Sequence, residues 1–320
     1  MKEWHVKSDN KTSTLLVDQV TILKGTIADW KEILLTLQSY FNNRKTEIIM
    51  NEGQTLIPKK DYAFYSISFS DHFDSTDLLK IKKNLKQQFL AQLQLSPFYK
   101  QLVEVWDDLQ EEVAFLNETT SSVKYDFDLS SFKDKIVSDQ IYSDSLSSTD
   151  LSSLHDLKKS VELIEEASKD KLNIITIVYP EIILKSKDIE QLIDFLKIHK
   201  KRTQFILLTN HSAIKADNIL YKEQIINKLI CTNVKNLLSA TIPFEFEETL
   251  YFKANNWYMS LVDNYHSKTV LLSYSSVDNL KEFIYTLCLF VLTNTPFILD
   301  AAMVPAPYDK YIAKLLDDTV

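Results

Sequence analysis

Glycine is almost missing from this sequence: among 320 residues there are two, Gly25 and Gly53. A phosphate-binding loop needs glycines, because backbone amides must approach the phosphates closely and adopt positive φ. The GxxxxGK[ST] and GxGxxG patterns each need at least two of them close together. Here they stand 28 positions apart, so a standard nucleotide-binding loop is excluded. Cysteine is equally scarce. Cys231 and Cys288 lie in apolar segments without a CxxC pair, which excludes a disulfide framework and a thiolate zinc site and leaves two buried reduced thiols. No apolar run is long. The longest, Phe283 to Leu292, is half of the ~20 residues a bilayer demands. The opening MKEWHVKSDNKT lacks an apolar stretch and a cleavage site, so a cytoplasmic protein without signal peptide or membrane span is expected.

Basic charge is also in deficit. Lysine and arginine number 36 against 44 acids, for a net charge of -8. A uniformly basic nucleic-acid binder is therefore excluded, but a local basic patch is not. The six histidines are scattered, and neither HExxH nor GxSxG occurs.

What is present is apolar and aromatic: 45% hydrophobic residues, with 17 Phe and 15 Tyr, enough for a large core. Thr14 to Leu23 reads as a strand, Ile27 to Phe41 as an amphipathic helix, Glu47 to Met50 and Tyr62 to Phe69 as strands. Two long helices are predicted next. The first runs from an N-cap at Ser75 to about Leu95 and the second from about Phe98 to Asn117, separated by Ser96-Pro97. Residues 121–150 are polar, with a short helix around Phe132 to Val137, and Leu151 to Ala167 is again helical. Leu172 to Tyr179 and Phe205 to Thr209 are wholly apolar and read as buried parallel strands around a helix at Lys187 to His199. Beyond residue 212, helices are expected near Ile219 to Leu229, Asp278 to Leu292 and Tyr308 to Leu315, with a strand at Thr269 to Tyr274. The fold class is α/β. An α/β head comprises residues 1–74 and 151–212, a helical limb 75–150, and a C-terminal α/β extension 213–320.

Charge is segregated along the limb. Residues 57–100 carry seven Lys and four Asp, whereas residues 101–150 carry three Lys and twelve acids. Clustered lysines suit phosphate neutralisation, although a solvated helix face explains Lys80, Lys82, Lys83 and Lys86 as well. Asp126 and Asp128 form a DxD spacing with Glu118 upstream, hard oxygen ligands of the kind calcium takes, or simply acids pointing outward from a turn. Asp71, Asp74, Asp126 and Asp128 could alternatively hold the metal of a nuclease or hydrolase, with Asp71-His72 read more plainly as a polar turn before a helix.

The run KDKLNIITIVYPEIILKSKDIEQLIDFLKIHKKRTQFILLT, with Lys187, Asp188, Ile189, Leu192, Ile193, Leu196 and Ile198 on its helix, resembles the second half of Csn-two proteins of type II-A CRISPR adaptation. LVEVWDDLQEEVAFLNE followed by KYDFDL resembles their limb helix and the segment after it. The match covers about residues 12–212, and the residues beyond resemble the family's long form. The resemblance implies a head related to phosphate-loop ATPases but without nucleotide motifs. It implies no enzymatic activity, and a homotetrameric ring whose basic hole holds double-stranded DNA by its ends during spacer acquisition. Its partners would be the CRISPR integrase complex and the effector nuclease. The lysines assigned to DNA are Lys59, Lys60, Lys133, Lys135, Lys158 and Lys159. Calcium, if bound as in short-form members, would be held by Glu118, Asp126 and Asp128.

Overall fold

A computed structural model describes residues 1–8, 11–43, 45–70, 73–119, 125, 153–198, 202–264, 268–277 and 279–317. They form two compact units, one built from residues 1–76 and 170–320, the other from the inserted residues 77–169. Thus the segment beyond residue 212 belongs to the same unit as the first 76 residues.

In the first unit the chain starts with an antiparallel hairpin, β1 (Lys2–Ser8) and β2 (Lys11–Val17). Trp4 and Val6 on β1 alternate with more exposed neighbours, the period of a strand with one covered face. β4 (Ile49–Glu52) and β5 (Thr55–Leu56) complete a four-stranded sheet in the order β2-β1-β4-β5. The strand expected at Thr14 to Leu23 is in fact two. It breaks at Asp18, whose carboxylate accepts from the Gln19 amide at 2.9 Å and whose own amide donates to Thr21 Oγ1 at 3.0 Å. Such local side-chain bonds compete with a ladder. β3 (Val20–Lys24) then enters a second sheet.

That sheet holds six strands in the order β10-β9-β3-β8-β7-β6, with β6 at Tyr62–Ser68, β7 at Leu172–Val178, β8 at Thr203–Leu208, β9 at Asn218–Tyr221 and β10 at Gln224–Asn227. All are parallel except β10. Six successive residues of β7 are buried, as a central parallel strand covered on both faces requires. α1 (Ile27–Asn42) buries Trp30, Leu34 and Leu37 in a core shared with both sheets, while α5 (Ser186–Ile198) buries Ile189, Leu192 and Leu196. The helix expected near Ile219 to Leu229 is instead the β9–β10 hairpin. Lys222 and Glu223 both take positive φ, 47° and 69°, the two-residue turn that matches strand twist.

α6 (Lys228–Thr241), α7 (Glu248–Asn264), α8 (Leu280–Leu292) and α9 (Ala306–Asp317) surround a second core with the parallel pair β11 (Val270–Ser273) and β12 (Phe297–Asp300). At its centre α8 buries every residue from Phe283 to Phe290, which explains the longest apolar run of the sequence.

The inserted unit contains α2 (Leu78–Gln94), α3 (Pro97–Thr119) and α4 (Leu154–Ala167). Pro97 opens α3, where its missing amide costs nothing. The N-cap of α2 is Asp77, which accepts from the Lys80 amide, and not Ser75. Ser75 is occupied elsewhere: its hydroxyl accepts from the Ser68 amide at 2.7 Å and donates to the Ser68 carbonyl. No helix among the described residues is long and apolar enough to cross a membrane.

Candidate nucleic-acid interface

Lys59 and Lys60 stand on a single 3-10 turn, Lys59–Asp61, between β5 and β6. The turn is pinned from within. Tyr40 on α1 donates its hydroxyl to the Ile57 carbonyl, and the Lys59 ammonium sits 5.8 Å from the centre of the Tyr40 ring, within cation–π range. Burial pushes the Tyr40 phenol up from its ordinary value, so it stays a donor. Lys60 is exposed beside it. A fixed backbone thus presents two adjacent ammonium groups, one packed on an aromatic ring and one in water.

Lys158 and Lys159 are half-buried on α4. Consecutive helical residues point about 100° apart, so α4 does not align the two on one face. Lys133 and Lys135 lie outside the described residues, as does the expected helix at Phe132 to Val137. On α2, Lys80 and Lys83 are exposed, as solvation alone would have them.

Of the expected calcium ligands, Asp126 and Asp128 lie outside the described residues. Glu118 is exposed near the end of α3, beside Asn117, whose carboxamide pairs with the backbone of Tyr125. Calcium takes six to eight oxygens. Of the three expected ligands, Glu118 alone stands among the described residues. For the nuclease alternative, Asp71 and His72 are likewise outside the described residues, and Asp74 is exposed. Among the described residues no group of three or more His, Cys, Asp or Glu could hold a metal.

The centre of the parallel sheet is where a nucleotide would be sought. β3 passes to α1 through two residues, Gly25 and Thr26, the strand–loop–helix position of a phosphate loop. Gly25 has φ +141°, and a Cβ there would lie 2.8 Å from Trp30 Nε1. That indole nitrogen donates to the Lys24 carbonyl at 2.8 Å, closing the turn from inside. Thr26 caps α1 in a reciprocal box with Asp29, whose amide donates to Thr26 Oγ1 at 3.3 Å while its carboxylate accepts from the Thr26 amide at 3.2 Å. An incoming phosphate would meet that carboxylate. Lys24 points into the core, 3.1 Å from the Asp263 carboxylate and 3% exposed. The loop therefore has no phosphate cradle and no lysine to offer.

Both cysteines are buried, as expected. Burial pushes the Cys231 thiol up to about 12 and the Cys288 thiol up to about 11, far from the thiolate a nucleophile needs.

No family model matches the chain, and no curated protein matches it. Among solved structures it is similar to the crystal structure of Stu0660 of Streptococcus thermophilus, with a TM-score of 0.49 at 14% identity over 98% of this chain and 99% of that one.

Residues that sequence reasoning passed over also gather at the carboxyl ends of the parallel strands: Tyr179 and Glu181 after β7, Thr209 and Asn210 after β8. Pro180 was the available signal only for the end of β7, since a residue before proline is disfavoured in the right-handed helical region and is ordinarily extended, whereas Tyr179 is left-handed.

Proposed function

We propose that this chain is a long-form member of the Csn-two family, a non-enzymatic cytoplasmic protein that binds double-stranded DNA at its ends during CRISPR spacer acquisition. It assembles as a homotetrameric ring and works beside the integrase complex and the effector nuclease. Its head derives from a phosphate-loop ATPase whose nucleotide motifs are gone. The two-residue turn at Gly25-Thr26, in the middle of a parallel sheet, supports that descent.

The observation that carries the reading is the limb. α2 and α3 span 17 and 23 residues, and neither buries a single one. Phe89, Leu95, Phe98, Val105 and Phe115 are all more than half exposed. Apolar surface of this extent on a helical pair calls for a partner, and further copies of the chain supply it. In the assembly Lys59 and Lys60 are repeated fourfold, and Lys158 and Lys159 with them. An exterior of net charge -8 repels DNA, so the contact is local and enclosed.

A gel-shift comparison of linear and covalently closed circular DNA of one sequence tests this reading. Retention of linear DNA without cleavage is expected. Equal binding to both forms, persisting at high salt, would eliminate the threaded ring. Cleavage of the linear DNA in magnesium would favour a metal-dependent nuclease or hydrolase.

A further inference from the structure

In an open parallel sheet, ligands bind in the crevice beyond the carboxyl ends of the strands, where the strand order reverses. Here that place lies between β3 and β8. The chain leaves β3 for β6 at one edge of the sheet, and leaves β8 for β9 on the far side of β3.

The segment after β7 reaches both walls of this crevice. Tyr179 takes the left-handed conformation, φ 53° and ψ 58°, a costly choice for a tyrosine. Its phenol donates to the Gly25 carbonyl at 3.0 Å, on the β3 side. The same phenol interacts with the backbone of Ile27, the first residue of α1, and with the Asn210 carboxamide. Burial pushes it up to about 12, so it keeps its proton at neutral pH. Two residues on, Glu181 holds the β8 side. One carboxylate oxygen accepts from the Asn210 amide at 2.7 Å and the other from the Thr209 hydroxyl at 3.1 Å. Pro180 between them is buried.

We infer that Tyr179-Pro180-Glu181 is a built-in plug: the chain's own side chains occupy the switch-point crevice and lock the loops after β3 and β8 in one arrangement. The phenol and the carboxylate make the polar contacts that a bound ligand would otherwise make at those loops. The sheet then needs no small molecule to hold its shape and takes no signal from one. This inference is independent of what the lysines bind.

Hydrogen exchange of the full chain, read by mass spectrometry, tests it. Tyr179→Phe keeps the ring and removes only the hydroxyl. Exchange over residues 25–30 is expected to accelerate about tenfold, the loss of one hydrogen bond at a locally opening loop. Glu181→Ala is expected to do the same for residues 209–211. Strand residues 174–177 and 205–207 keep their protection in both variants. Unchanged exchange over 25–30 in Tyr179→Phe would overturn the plug, since mere space-filling predicts that result. So would an equal rise across the whole sheet. In the unaltered protein, millimolar ATP or inorganic phosphate should leave residues 25–30 unaffected, and protection by either would mean that the crevice still takes a ligand.

Discussion

The Asn218 side chain stands in for a neighbouring strand beside Leu16. Its Oδ1 accepts from the Leu16 amide at 2.9 Å, and its Nδ2 donates to the Leu16 carbonyl at 2.8 Å. Asn227 donates to the same Oδ1 at 3.2 Å, and Asn218 itself is 0% exposed. One carboxamide thereby joins β2 of the antiparallel sheet to β9 of the parallel one.

Asn218→Leu should therefore cost far more than a surface substitution. It strands the buried amide and carbonyl of Leu16, and each unpaired group costs about 1–3 kcal/mol. A destabilisation of about 2–4 kcal/mol in urea unfolding is expected, with the slope unchanged. A loss below about 1 kcal/mol would show that water takes over both bonds.

Alkaline pH should unfold the protein from within its cores. The Cys288 thiol is raised to about 11, and Cys231, Tyr179 and Tyr251 to about 12, from ordinary values of 9 for Cys and 10 for Tyr. A raised acid of this kind favours folding fully below its ordinary value, and that contribution drains away as pH climbs to the folded value. Stability should hold to about pH 9 and fall between about 9 and 12. Circular dichroism should fall across that range, and the thiols should ignore Ellman's reagent at pH 8 until the chain unfolds. Reaction of both thiols at pH 8 with an intact dichroism signal would contradict this account.

ATP-magnesium should be inert. With Asp29 at the start of α1 and Lys24 paired to Asp263, neither hydrolysis nor thermal stabilisation is expected. A ligand at 100 times its dissociation constant adds about 2.7 kcal/mol. A shift of several degrees at millimolar ATP would refute this prediction.

Charge reversal at the 3-10 turn should weaken DNA binding without regard to sequence, because phosphate contacts carry no sequence information. Lys59→Glu with Lys60→Glu should flatten the dependence of log K on log salt, by about 0.9 for each phosphate that is no longer neutralised. An unaltered slope would move the DNA-binding surface away from this turn. Lys59→Glu also forfeits the packing on the Tyr40 ring, so Lys60→Glu alone is the cleaner probe.

Assembly should depend on the limb. Phe89→Asp with Phe98→Asp places charge on side chains that are 54% and 80% exposed and should leave the fold of one copy intact. Light scattering should report a tetramer for the parent chain and a lower mass for the variant. A monomeric parent across the micromolar range would rule out the assembly.

The strands that were easiest to read are those in which burial dictates composition. Leu172 to Val178 is buried at six of seven positions and therefore apolar without interruption. The helix at Ile27 was equally plain, with Trp30, Leu34 and Leu37 on one face. The β9–β10 hairpin was illegible because Lys222-Glu223 does what Asn-Gly ordinarily does, its left-handed backbone imposed by the strands it joins. α7 went unread although Leu250, Tyr251, Ala254, Tyr258 and Val262 recur at helical spacing, since Phe252, Trp257 and Met259 stand off that stripe and blur it. Of the candidate site, the pair at Lys59 and Lys60 could be named from sequence, but its anchoring to Tyr40 could not. Tyr179 left no linear trace beyond the proline after it, because its partners stand about 30 and 150 residues away in the chain.

The place of β3 in the sheet has a bearing on how the protein is made. Both of its strand neighbours, β8 and β9, come late, with about 180 residues between Lys24 and Thr203. At about 5–20 residues per second, a ribosome needs on the order of 10–40 s to supply them. Throughout that interval both edges of the newborn strand are bare and its apolar faces lack their later partners. The finished sheet is dominated by contacts between distant parts of the chain, which slows its closure. The antiparallel hairpin at the start is different, since its strands are consecutive and pair as soon as they emerge. The nascent chain therefore has a long window in which chaperones, or another copy growing on the same messenger, can reach it before its own later residues do.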